Sequence, residues 1–157
     1  MKYAHLISLS VFSYEHENID SVLASFLRFF PFDLEDSKVV LDKTNATGFN
    51  EKKITIFEVK LTKNNLINQF LQNLLENLDK HQKNNILNQI DSRLDKNLDF
   101  FIRFDKESWI NEKKLILMDA GKCFHIRISI AAFPKKNGNS FKCCQRFVCQ
   151  IKTHNKN

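Results

Sequence analysis

Ten side chains in the last third of this sequence have the chemistry to hold phosphate: Arg103, Lys113, Lys114, Lys122, His125, Arg127, Lys135, Lys136, Lys142 and Arg146. Nine are cations at neutral pH, and the imidazole of His125 titrates close to it. A Lys or Arg that contacts a nucleic-acid phosphate releases condensed counterions, which gives affinity independent of base sequence. Arg103 and Arg127 add planar guanidinium forks that pair with phosphate and stack on bases. Phe101 and His125 lie close by in sequence and would extend a stacking surface beside them.

The placement of charge argues more strongly than its amount. Residues 101–157 hold twelve Lys and Arg against four acidic residues, whereas residues 1–100 hold twelve against fourteen. From Ala120 onward there is no Asp or Glu. Asn, Lys, Ile and Phe are abundant, as AT-rich coding alone would produce, so the net charge of +6 says little by itself. Exclusion of acids from one segment is not explained that way and favours a phosphate-bearing partner, nucleic acid over an acidic protein. A solvated basic face that maintains solubility is the competing reading.

Other chemistries find less support. His5, His16, His81, His125 and His154 share no metal-ligand spacing. "CCQRFVC" sets Cys143, Cys144 and Cys149 at offsets unlike a zinc knuckle. With Cys123 they read as reduced thiols, and Cys143 and Cys144 as small hydrophobes of a terminal helix. Asp91, Asp95 and Asp99 are spaced by four, but Asp99 falls in the next strand, so a solvated helix end is plainer than a magnesium site. No dinucleotide, Walker, nucleophile-elbow or HExxH motif occurs. The sequence therefore predicts no catalytic residue, no metal site and no cofactor. The N-terminal stretch lacks signal-peptide organisation, and no window approaches the roughly 18–20 apolar residues of a membrane span, so a cytoplasmic protein is expected.

The elements that must position these side chains follow from periodicity. Alternation predicts a strand over 3–12, and Asn18 or Asp20 caps a helix that runs to Pro31. "KVVLDK" at 38–43 and "KITIFEVKL" at 53–61 read as a hairpin. Thr62 is the expected cap of a helix whose Leu66, Phe70, Leu74 and Leu78 form one row, followed by a second helix over about 82–94. Strands are expected at 98–104, 113–118 and 123–132, with a capped turn opening at Asp105 between the first two. In the last strand Phe124, Ile126, Ile128 and Ile130 form the buried face, and Cys123, His125, Arg127 and Ser129 an open one. After Pro134, a turn at 137–140 leads to an amphipathic helix with the stripe Cys143, Phe147 and Ile151. A chain of 157 residues fits one domain, with 137–157 as a basic helical tail. The expected architecture is α+β: a single, largely antiparallel sheet with helices on one face.

Four blocks carry a resemblance: "LRFFP" at 27–31, "GFNEKKITIFEVKLTK" at 48–63, "IRFDKESW" at 102–109 and "DAGKCFHIRISIAAFPKK" at 119–136. In order and spacing they are similar to an archaeal family described as RNA-binding proteins or predicted exosome subunits. The resemblance implies a fold similar to the large-subunit ribosomal protein that cradles the smallest ribosomal RNA. It also implies structured RNA as partner, an RNA-processing context and no catalytic motif. The cysteine-rich, basic end of this chain departs from that pattern. Dimerisation and partner subunits are left open.

Overall fold

The computed structural model describes residues 2–131 and 149–153. Five strands, β1 (Ala4–Tyr14), β2 (Leu41–Thr47), β3 (Lys53–Leu61), β4 (Asp99–Asp105) and β5 (Cys123–Ile130), form one sheet in the order β2-β3-β1-β5-β4. Every neighbouring pair is antiparallel. The helices are α1 (Ile19–Leu27), α2 (Asn64–Glu76), α3 (Lys80–Asn88), α4 (Ile90–Arg93) and α5 (Lys106–Glu112). The chain is thus the α+β domain that the periodicity predicts.

Alternation makes the sheet two-faced. Ile7, Leu9 and Val11 of β1, Phe57, Val59 and Leu61 of β3, Phe100, Ile102 and Phe104 of β4, and Phe124, Ile126, Ile128 and Ile130 of β5 are buried in one cluster. The helices contribute Val22, Phe26, Ile67, Phe70, Leu71 and Trp109 to the same cluster. Burying each such large side chain stabilises the fold by about 1.5–3 kcal/mol. Phe29, just past α1, knits the layers: its ring lies 5.0 Å from Phe124, 4.9 Å from Trp109 and 6.4 Å from Phe104.

The helix starts are chemically defined. The Asn18 side chain accepts from the backbone N–H groups of Asp20 and Ser21 at 3.0 and 3.1 Å, Asp79 from Gln82 at 2.8 Å, and Asp105 from Ser108 at 3.0 Å. Thr62 is not a cap: α2 starts after Lys63, with no side-chain capping bond.

Several boundaries differ from expectation. Helix α1 ends at Leu27, short of Pro31, because a tighter turn takes over, with Phe29 and Phe30 donating to the carbonyls three residues back. Val39 and Val40 are β-branched, yet β2 begins only at Leu41; Lys38 has φ 56°, which no strand accepts, and Val39 N–H turns back to the Leu34 carbonyl. Residues 113–118 do not form a strand. Lys113 sits in the left-handed region at the end of α5 (φ 53°, ψ 37°), and the segment reaches β4 by one isolated bridge, Phe104 to Leu117. In β1 the register shifts between Ala4 and Leu6, so Ala4 is buried and His5 exposed, reversing the alternation there. Of the expected terminal helix, residues 149–153 are helical with Ile151 buried. The turn at 137–140 and the positions of Cys143 and Phe147 lie outside the described residues.

Candidate nucleic-acid interface

The sheet face opposite the helices is assembled by register. Across β4 and β5, Phe101 pairs with Arg127 and Arg103 with His125. Across β1 and β5, Ser8 pairs with Arg127 and Ser10 with His125. Directly opposed residues share a face, so two neighbouring rows form: Ser8, Arg127, Phe101 and Ser10, His125, Arg103. The serines of the central strand are short, which leaves the longer cations and rings of β4 and β5 to define the surface.

Arg103, His125, Arg127 and Phe101 are all half-buried, so this face is less open than clean alternation suggests. Among the described residues, no hydrogen bond or ion pair engages the guanidinium of Arg103 or Arg127. The Nε of Arg127 is shielded from solvent without a hydrogen-bond partner among those residues. A buried donor left unmatched favours an acceptor that arrives from outside, and phosphate oxygens supply one.

Burial first, and the positive charge of Arg103 second, hold His125 below its ordinary range, so the ring is neutral at physiological pH. It offers a stacking face and one donor rather than a charge. Its Nε2 lies 3.4 Å from Cys123 Sγ. Burial pushes that thiol up, against the lowering influence of Arg103 and Lys106. A thiol so placed stays protonated, and the pair lacks the thiolate that a cysteine nucleophile needs.

The remaining expected residues are less gathered. Lys122 is exposed at the start of β5, its Nζ 3.2 Å from His16 Nε2 and 5.4 Å above the Tyr14 ring, which itself stacks on His16. Lys113 and Lys114 are exposed at the end of α5, the helix packed against β4 and β5, and do not share the two rows. Lys135, Lys136, Lys142 and Arg146 lie outside the described residues.

Sequence reasoning missed three residues. Arg93, only 8% exposed, lies on a cleft of about 460 Å³ with Gln89, Ser92, Phe101, Arg103 and Asp119. Phe12, 40% exposed on the central strand, places an aromatic ring one row beyond His125. Lys106 is almost fully buried, bonded to the Phe12 carbonyl and to Glu17 at 2.8 Å. An arginine in a short helix and a lysine after a strand carry no sequence signal of burial.

Two of the spaced aspartates hold local structure. Asp95 accepts from the N–H groups of Asn97 and Asp99 at 2.8 and 3.0 Å, and Asp99 accepts from the Ser129 hydroxyl at 2.5 Å. Among the described residues no three metal-binding side chains cluster, and no helix is long and apolar enough to cross a membrane.

Solved structures share this fold. The chain is similar to a protein of Archaeoglobus fulgidus (TM-score 0.77, 23% identity, covering 91% of this chain and 98% of that one). It is also similar to a DUF54 protein of Methanothermobacter thermautotrophicus (TM-score 0.72, 19% identity, 94% and 99%). A Sulfolobus solfataricus protein matches with a TM-score of 0.70 and 25% identity over 92% of this chain and 98% of that one. No curated protein matches the sequence. A family model described as RNA binding matches residues 6–130, from β1 through the end of β5, and so contains both rows of the outer sheet face; the chain belongs to that RNA-binding family.

Proposed function

We propose that this chain binds structured RNA, chiefly through its backbone, using the outer face of β4 and β5 and the basic segment that follows them. The observation that supports this most is the pairing in register of Arg103 with His125 and Phe101 with Arg127, on the face left over when helices cover the other. Guanidinium forks next to an aromatic ring and a neutral imidazole suit phosphate contact and base stacking together. The family match ends at Ile130, which directs attention to the sheet first. Lys122 would extend the surface at one end, and Lys135, Lys136, Lys142 and Arg146 would extend it along the tail. Lys113 and Lys114 would add a flank beyond the β4 edge. In this reading the protein is a non-catalytic, single-domain binder with a basic tail over 137–157, acting in the cytoplasm beside RNA-processing or ribosome-related machinery.

A salt titration of binding to total cellular RNA, with double-stranded DNA as control, tests it. Several phosphate contacts predict a loss of affinity by orders of magnitude between about 50 and 200 mM salt. Absence of binding at low salt rejects the reading.

A second reading, an adaptor subunit of an RNA-processing assembly or a homodimer acting through protein contacts, draws on the β2 side of the sheet. Phe49 is 98% exposed and Val40 70% exposed there, and large apolar side chains so placed suit a protein interface. Such contacts would survive the salt that removes RNA.

A further inference from the structure

The cleft of about 460 Å³ lies where α4 meets the edge strand β4, and its size falls in the range of small-ligand sites. Arg93 forms its base. The Nε and Nη2 of Arg93 donate to Gln89 Oε1 at 3.0 and 2.6 Å, and Nη1 donates to the Phe101 carbonyl at 3.3 Å. These bonds fix the guanidinium fork without neutralising it. The only carboxylate that answers its charge among the described residues is Asp119, at 3.9 Å, beyond hydrogen-bond range, and that side chain is 93% exposed. An ion pair so loose and so wet contributes little and is easily displaced. Arg103 lines the same cleft, and its charge acts against that of Arg93. Phe101 lines the cleft as well, beside the carbonyl that holds Arg93.

Two guanidiniums, one fixed and one without a partner among the described residues, share a cleft whose single carboxylate points into solvent. We propose that this cleft is a phosphate seat, in which one phosphate group of an RNA strand displaces Asp119 and bridges Arg93 and Arg103 while its nucleotide lies against Phe101. The identity of the strand rests on the RNA-binding reading; the phosphate chemistry does not. An internal phosphodiester and a terminal phosphate monoester offer the same oxygens to the two forks.

The test uses the isotope-labelled full chain and its Arg103→Gln and Asp119→Asn variants, with folding of each checked by its amide spectrum. Inorganic phosphate is titrated while the arginine Nε–H resonances are followed. The Arg93 and Arg103 signals are expected to shift together. Asp119→Asn should tighten binding about threefold by removing the competing carboxylate. Arg103→Gln should weaken it about tenfold or more by removing a charge-assisted donor. Weaker binding in Asp119→Asn, or unchanged binding in Arg103→Gln, overturns the seat.

The same proteins are then titrated with short oligouridylates carrying a 5′-hydroxyl or a 5′-monophosphate. A gain from the terminal phosphate that vanishes in Arg103→Gln assigns the seat to a strand end. Equal loss on both oligonucleotides assigns it to an internal phosphodiester. Equal RNA affinity in all three proteins rejects the seat and leaves RNA binding standing. Phosphate binding without RNA binding keeps the seat and rejects the RNA reading.

Discussion

Arg103 on β4 and His125 on β5 stand directly opposite each other on the sheet face that the helices leave uncovered. Burial, and after it the guanidinium charge, hold the imidazole pKa below its ordinary range, and both side chains face a ligand that approaches that side of the sheet.

Removing the Arg103 charge leaves burial as the remaining cause of the His125 depression. Arg103→Gln should therefore raise the His125 pKa part of the way toward 6.5, read from the imidazole proton shifts across a pH series. An unmoved titration curve would show that the two side chains are not coupled. The sign for stability follows from the same shift. The unfolded chain takes up the proton first, so the contribution of neutral His125 is complete above pH 6.5 and declines as pH falls below it.

Lys106 and Glu17 form an ion pair inside the protein, with side chains 3% and 17% exposed. Burial works to raise the Glu17 pKa, but the hydrogen bond from Lys106, the Tyr14 N–H and the charges of Lys106 and Lys122 outweigh it and bring it below 4.5. The stabilisation is present above pH 4.5 and is lost as pH drops through the lowered value. Glu17→Gln removes the carboxylate that answers the buried ammonium, leaves it only neutral acceptors, and should cost about 3 kcal/mol. Urea unfolding at neutral pH measures that loss; a change within error would mean that Lys106 finds another partner.

Lys113 ends α5 with φ 53°, a conformation that charges a side-chain-bearing residue about 1 kcal/mol and glycine nothing. Lys113→Gly should raise the urea midpoint, with a gain of about 0.5–1 kcal/mol. A lower midpoint would show that the lysine side chain itself holds the end of α5.

Phosphate contacts leave a count in the salt dependence. Arg127→Gln and Lys122→Gln should each weaken RNA binding and reduce the slope of log K against log salt by about one unit. The double change Lys135→Glu and Lys136→Glu tests the tail segment in the same assay. If it alone removes the salt dependence, the contact surface lies beyond β5 and not on the sheet.

The fold was legible wherever burial alternates along a strand. Phe124 to Ile130 and Phe100 to Phe104 announce β5 and β4, and "KITIFEVKL" matches β3 residue for residue. Legibility failed where one backbone angle decides the outcome. Lys38 and Lys113 both adopt positive φ, and nothing in a lysine signals it, so the strand expected at 38–43 starts only at Leu41 and the one expected at 113–118 does not form. The rows around Arg127 and Arg103 could be read as the polar sides of two strands, but their alignment depends on register, which periodicity alone does not set. Arg93 and Lys106 escaped notice because their burial depends on acceptors supplied from elsewhere: Gln89 and the Phe101 carbonyl for one, Glu17 and the Phe12 carbonyl for the other.

The first strand of the chain occupies the middle of the sheet, between β3 and β5, and Ala4 pairs with Ile130 at the far end of the family match. During synthesis β1 can acquire β3 early, but its other edge stays unpaired until β5, which ends at Ile130, has left the ribosome. Pairings between such distant segments close slowly, because loop entropy is lost before contacts repay it. The unpaired edge of β1 and the apolar side chains beside it are therefore exposed until β5 docks, which makes the nascent chain a candidate for chaperone capture and variants cut before β5 prone to aggregation.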